Sequence, residues 1–117
     1  MTDEFDRKYS RSIQELEGTS IWKSNYLPTT YRLQRLMGLR VKPPHYNSFL
    51  WNAVSLGLYF GLAWGALMWL LFWQRSDASV SAALLAALSA GLLFGLSMAA
   101  YYRWSARKHA LSDWDEL

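Results

Sequence analysis

Two long apolar stretches decide the fold of this chain. They read FLWNAVSLGLYFGLAWGALMWLLFW at residues 49–73 and ASVSAALLAALSAGLLFGLSMAAYY at residues 78–102, and neither contains Lys, Arg, Asp, Glu or His. Each would extend about 37 Å as an α-helix, against a hydrocarbon core of roughly 30 Å. A backbone that crosses lipid must satisfy its own hydrogen bonds. The sequence therefore predicts an all-α membrane protein whose centre is an antiparallel two-helix transmembrane hairpin, with a turn at residues 74–77 and Asp77 capping the second helix.

The 48 residues before the first span are polar and predict two short amphipathic helices. The first covers about residues 3–17, with Thr2 as N-cap and an apolar face formed by Phe5, Tyr9, Ile13 and Leu16. The second covers about residues 28–37: Pro28 suits a first helical position, the apolar residues are Tyr31, Leu33, Leu36 and Met37, and Gly38 ends it. Both are expected on the membrane surface, on each other or on a partner.

The segments around these helices give weaker patterns. Residues 21–26 have no clear periodicity, and Pro43-Pro44 predicts a stiff, extended entry to the first span.

The basic residues set the orientation. Of the 12 Lys and Arg residues, only Arg75 lies in the turn, so the other 11 flank the hairpin on one side. The positive-inside rule places that side in the cytoplasm, so residues 1–48 and the tail at residues 103–117 are both expected there. The residues nearest the spans are expected to bind anionic lipid headgroups, at about 1 kcal/mol each, rather than nucleic acid: Arg40, Lys42, Arg103, Arg107 and Lys108.

Small residues recur every four positions in both spans. They are Ala53, Gly57, Gly61 and Gly65 in the first, and Ala83, Ala87, Gly91, Gly95 and Ala99 in the second. This spacing lets two helix backbones approach closely in lipid. An antiparallel pairing places Gly57 at the level of Gly95, Gly61 at that of Gly91, and Gly65 at that of Ala87. The two stripes predict close packing within the chain.

A second row of alanines lies beside this stripe, at Ala78, Ala82, Ala86 and Ala90. It is either alanine-rich filler or a contact face for another copy of the chain or a larger membrane protein.

Few residues in the sequence could carry chemistry. It has no cysteine, and only His45 and His109 could serve as neutral imidazole ligands. No local pair has metal-ligand spacing, and nucleophile–base motifs, Gly-rich phosphate loops and paired catalytic carboxylates are absent. We therefore expect no catalytic residues, no cofactor and hydrogen-bonding roles for the two histidines.

Several short motifs carry a resemblance. They are residues 18–26 (GTSIWKSNY), 31–33 (YRL), 43–46 (PPHY), the glycine-striped first span and residues 101–109 (YYRWSARKH). Over nearly its whole length the chain resembles a family of small bacterial two-span membrane proteins of unknown function. The resemblance implies the bacterial inner membrane and brings no activity, cofactor or catalytic residue.

Three classes of function follow from these features. A non-enzymatic interaction or accessory subunit, or a regulator, of a membrane complex agrees best with the excess of packing features over chemical ones. An oligomeric pore or holin-like protein is the alternative, and a metal- or haem-handling protein using His45 and His109 is the third. Proton-coupled export is disfavoured because the spans have no acidic residue.

Overall fold

The computed structural model describes residues 4–117, and all regular structure in this range is helical. The α-helices are α1 (Glu4–Glu17), α2 (Lys23–Tyr26), α3 (Thr29–Leu36), α4 (Phe49–Leu71) and α5 (Val80–Lys108). Short 3₁₀ turns occupy Pro44–Tyr46, Trp73–Arg75 and Trp114–Glu116. The prediction of an all-α chain is confirmed; the expected N-cap Thr2 lies outside the described residues.

Two segments are long and apolar enough to cross a membrane, Phe49–Arg75 and Val80–Lys108. The prediction of two such helices is confirmed. The second helix continues past the apolar run that ends at Tyr102, because the polar residues that follow are also good helix formers.

The residues divide into two compact units. The polar unit contains residues 4–48 and 101–117, and the apolar unit contains Phe49–Ala100. Each has its own packing.

The core of the polar unit is formed by Leu16, Tyr26 and Tyr46. Partly buried side chains surround it: Ile13, Ile21, Leu27, Leu111, Trp114 and Leu117. Residues from the C-terminal end of the chain therefore cover the apolar face of α1, and the Phe5 and Trp114 rings lie 5.4 Å apart. Ile13 and Leu16 belong to a core within the chain and do not form an open docking face.

Local chemistry explains how the helices of the polar unit end. After α3, the Gly38 amide donates to Arg35 and the Leu39 amide to Gln34, which is the Schellman arrangement. Gly38 has φ +88°, a left-handed conformation that favours glycine. The prediction that this helix ends before Gly38 agrees with the structure.

Three local expectations for the polar unit need correction. Pro28 is the N-cap of α3 and not its first residue. The segment without clear periodicity contains the short helix α2. The chain after Pro43 is not extended, since Pro44 begins a 3₁₀ turn in which the Tyr46 amide donates to the Pro43 carbonyl. A fixed proline φ suits the start of a helical turn as well as an extended segment.

In the apolar unit, the link between α4 and α5 is longer than predicted. Helix α4 ends at Leu71, a 3₁₀ turn follows, and α5 begins at Val80. The expectation that Asp77 caps α5 is wrong: the Ala82 amide donates to the Ser79 hydroxyl, so Ser79 is the N-cap.

Candidate functional site

The glycines of α4 and α5 bring the two backbones into close contact. A Cβ built on Gly57 would lie 2.8 Å from the Gly91 carbonyl oxygen, and one on Gly61 would lie 3.1 Å from that of Ala87. A Cβ on Gly95 would collide with the Ala53 carbonyl oxygen. Higher-numbered positions of α4 meet lower-numbered positions of α5, so the two helices run antiparallel.

We call this contact the seam; seven residues of the four-residue repeat take part in it: Ala53, Gly57, Gly61, Gly65, Ala87, Gly91 and Gly95. Gly65 faces the Ala87 methyl group. The other two residues of the repeat, Ala83 and Ala99, are buried. Any larger side chain at Gly57, Gly61 or Gly91 would separate the helices, because the nearest atoms of the opposite helix belong to its backbone and cannot rotate away.

An apolar groove of about 510 Å³ runs along one flank of the seam. Its floor is formed by Gly57, Gly61 and Gly91. Its walls are formed by leucines of both helices, including Leu58, Leu62, Leu84, Leu88 and Leu92. The lining residues offer no side-chain hydrogen-bonding group.

Aromatic side chains occupy the apolar unit elsewhere. The Phe60 and Phe94 rings stack with centroids 4.4 Å apart, and Trp64 meets Trp73 edge-on at 5.4 Å. The second alanine row is half-buried at Ala78, Ala86 and Ala90 and exposed at Ala82. Part of this row is therefore available for contact.

In the polar unit, a buried histidine joins the 3₁₀ turn at Pro44–Tyr46 to α5. His45 Nε2 lies 3.0 Å from the Ser105 hydroxyl oxygen, and its ring meets that of Tyr102 edge-on at 5.0 Å. His45 is 7 % exposed and Ser105 is 1 % exposed. Both side chains are too deeply buried for a substrate to reach them. The hydrogen bond between them therefore serves to hold the 3₁₀ turn against α5.

His109 extends the same cluster. Its Nδ1 lies 2.9 Å from the Ser105 carbonyl oxygen, which can only accept, so Nδ1 carries the proton. Its Nε2 lies 3.4 Å from the Ser20 hydroxyl. Among residues 4–117, no group of three or more His, Cys, Asp or Glu side chains could hold a metal ion. Both histidines contact Ser105, His45 through the hydroxyl and His109 through the carbonyl, so the fold brings them together in one cluster.

The surroundings of His45 oppose a positive charge. Burial, with a smaller contribution from nearby His109, lowers the pKa of His45 to about 4. Its Nδ1 atom is buried and has no hydrogen-bond partner among the described residues, so a second N–H would find no acceptor. His45 is neutral at physiological pH.

Glu15 forms a second polar contact that the sequence patterns did not single out. Its carboxylate accepts hydrogen bonds from the Tyr46 hydroxyl at 2.6 Å, the Ser112 amide at 2.8 Å and the Ser112 hydroxyl at 2.7 Å. Burial alone would raise the pKa of Glu15, but these donors outweigh it and the pKa is lowered. One carboxylate thus ties α1 to the 3₁₀ turn and the C-terminal segment. No pattern in the sequence marked Glu15, because it lies off the apolar face of α1 and its partners are distant in sequence.

The basic residues expected at lipid headgroups all belong to the polar unit. Arg40, Arg103, Arg107 and Lys108 are exposed, and Lys42 is half-buried. Both lysines of this set lie over indole rings: Lys42 Nζ is 5.5 Å from the centre of the Trp114 ring, and Lys108 Nζ is 4.9 Å from that of Trp104.

Comparison with known proteins gives a family and nothing more specific. No curated protein and no solved structure matches the chain. The model of a family of unknown function, DUF6404, matches residues 3–117, which confirms the expected membership of a family without an assigned activity. The chain belongs to the family DUF6404.

Proposed function

We propose that this protein is a non-enzymatic integral protein of the bacterial inner membrane, and that it serves as an accessory subunit or regulator of a membrane complex. In this proposal α4 and α5 form a transmembrane hairpin, and both chain termini lie in the cytoplasm.

The seam is the observation that carries the membrane part of the proposal. Glycines hold α4 and α5 together, while large apolar side chains point away, such as Leu62 at 72 % and Leu88 at 67 % exposure. Only 22 % of the most apolar window of each helix is buried, whereas a core helix of a water-soluble protein is mostly buried. Lipid would cover the outward leucines without loss of hydrophobic free energy.

The charge pattern supports the orientation. The link between the helices carries Arg75 as its one basic residue, and the polar unit carries the other 11. This asymmetry favours a cytoplasmic polar unit that meets anionic headgroups through the residues named above.

The rest of the molecule favours an interaction role over the alternatives. The Ser105–His45 pair is closed to substrates, and the groove along the seam has apolar walls that would not hold a column of water or ions. The exposed part of the second alanine row, at Ala82, is the contact surface that we propose for a larger membrane protein.

The test is purification of the tagged full chain from native membranes in a mild detergent, with mass spectrometry of the proteins that accompany it. We expect a stoichiometric integral membrane partner that is lost in Ala82→Phe and retained in Ala63→Phe, a matched change at an exposed position of α4.

Two results would contradict the accessory role. If the chain purifies alone as a monomer, the interaction fails. If the purified chain makes proteoliposomes leak to small dyes, a pore is the better interpretation.

A further inference from the structure

An exposed apolar surface lies at the end of α3, in the polar unit. Leu36 is 82 % exposed and Met37 is 77 % exposed, and Leu33 and Leu39 are also exposed. We call these four residues the α3 tip. They are adjacent on one helical turn and the Schellman turn that follows, so they form one patch.

Helix α3 leaves its aliphatic side chains outside the core of its own unit. The side that faces inward carries Thr30 and Tyr31, both buried, and the Thr30 hydroxyl has no hydrogen-bond partner among residues 4–117. Leu33 and Leu36, by contrast, are exposed. A helix packed for water alone would have the opposite arrangement.

The charged residues around the α3 tip indicate that an anionic surface covers it. Arg32 and Arg40, at the two ends of the patch, are both exposed. Residues 18–76 contain no Asp or Glu, so the α3 tip and its neighbours in sequence carry only positive charge. Arg40 also lies 5.9 Å from the centre of the Phe5 ring of α1. Leucines interleaved with arginines are typical of helices that lie in the interface of an anionic bilayer.

We propose that the α3 tip inserts into the headgroup region of an anionic bilayer and fastens the polar unit to it, with Arg32 and Arg40 contacting lipid phosphates. The inference rests on the membrane insertion proposed above. It adds a second membrane contact that is independent of the spans.

The chain has no cysteine, so single cysteines can carry an environment-sensitive fluorophore. Met37→Cys reports on the α3 tip, and Ser10→Cys reports on an exposed position of α1 in the same unit. Leu62→Cys reports on an exposed position of α4, in the wall of the groove. Each labelled full chain is reconstituted into phosphatidylcholine vesicles with and without phosphatidylglycerol. Quenching is then measured with lipids that carry a nitroxide at the headgroup or deep in the acyl chain.

We expect the label at Met37→Cys to be quenched by the headgroup nitroxide and its emission to shift to the blue. Both effects should grow with phosphatidylglycerol and shrink in Arg32→Gln/Arg40→Gln. The label at Ser10→Cys should stay unquenched.

The label at Leu62→Cys separates the two proposals. If it is quenched by the deep nitroxide while Met37→Cys is not quenched, the α3 tip does not insert, although the spans do. If Leu62→Cys escapes the deep nitroxide, the membrane insertion itself fails. If Met37→Cys shifts to the blue without quenching, protein rather than lipid covers the tip, and the lipid inference falls.

Discussion

Ala110 adopts a left-handed conformation, with φ 50°, at the end of α5. The Leu111 amide donates to the Ala106 carbonyl and the Ala110 amide to that of Arg107, so Ala110 occupies the position that glycine usually takes in a Schellman turn. The left-handed region is unfavourable for a residue with a Cβ.

Ala110→Gly should therefore stabilise the fold. Relief of the left-handed conformation outweighs the extra entropy of a glycine in the unfolded chain, and we expect a net gain of roughly 0.5–1 kcal/mol. The measurement is the midpoint of thermal unfolding in detergent.

The reciprocal control is Gly38→Ala, at φ +88° with no atom within 4 Å of the added Cβ. It should lower the midpoint, since only the backbone conformation opposes the change. A lower midpoint for Ala110→Gly would contradict this account of the helix end.

His45 makes the stability of the polar unit depend on pH. The pKa of His45 is about 4 in the folded protein, against an ordinary value of 6.5. Above pH 6.5 the side chain is neutral in both states and its full contribution to stability is present. As the pH falls from 6.5 towards 4, the unfolded chain takes up a proton that the folded chain does not, so stability decreases, by an amount on the order of 3 kcal/mol.

The variant His45→Gln tests this dependence, because an amide can still reach Ser105 but does not titrate. A series of unfolding midpoints between pH 7.5 and pH 4 should fall less steeply for His45→Gln than for the unaltered chain. Equal slopes would show that His45 is not a buried neutral group.

At the scale of elements, Glu15 fixes the C-terminal segment to α1. Glu15→Gln would keep an oxygen that accepts from Tyr46 and the Ser112 amide, and its N–H could donate to the Ser112 hydroxyl. These bonds would lose the charge of the carboxylate, at a cost of about 1 kcal/mol. We expect faster proteolysis after residue 110 in this variant. Glu17→Gln, at an exposed position of the same helix, should leave the rate unchanged; equal protection of all three chains would mean that Glu15 does not hold the segment.

The seam between α4 and α5 should tolerate almost no added volume. A Cβ at Gly91 would lie 2.6 Å from the Gly57 carbonyl oxygen, and overpacking of this kind costs about 1–3 kcal/mol, more than the helix propensity gained from Gly→Ala. Gly91→Ala should therefore lower the temperature of aggregation in detergent.

The neighbouring change Leu92→Ala, at an exposed position, is the control and should have a smaller effect. Gly61→Ala should fall between them, since its Cβ would lie 3.1 Å from a carbonyl oxygen. Equal tolerance at Gly91 and Leu92 would show that the helices do not pack through their glycines.

The elements also show how far sequence patterns reach in this chain. Apolar run length predicted the two long helices, and the four-residue repeat selected the small residues that line the seam, because both depend on spacing within one helix. The polar-unit core was not predictable in this way. It joins Leu16 to Tyr46 and to residues beyond 110, and no local periodicity records contacts between segments so far apart.

His45 and His109 were expected to form hydrogen bonds, but their serine partners were not predictable for the same reason. His45 lies 60 residues from Ser105, and His109 lies 89 residues from Ser20, and neither pair has the spacing of a motif. Asp77 was predicted as the cap of α5 because it ends the polar turn. The helix begins at Val80, however, and the residue before it, Ser79, is the N-cap.

For the molecule as a whole, the central claim is that α4 and α5 cross the membrane and leave both termini inside. The link between them carries Ser76, which is exposed, and α1 carries Ser10, which is also exposed. Single cysteines at these positions have no competing thiol, since the chain has no native cysteine.

The most direct measurement is labelling of Ser76→Cys and Ser10→Cys with a membrane-impermeant maleimide, first in intact spheroplasts and then after permeabilisation. The account predicts that Ser76→Cys is labelled in intact spheroplasts and that Ser10→Cys is labelled only after permeabilisation. Labelling of Ser10→Cys but not Ser76→Cys in intact spheroplasts would reverse the orientation, and labelling of neither before permeabilisation would contradict the hairpin.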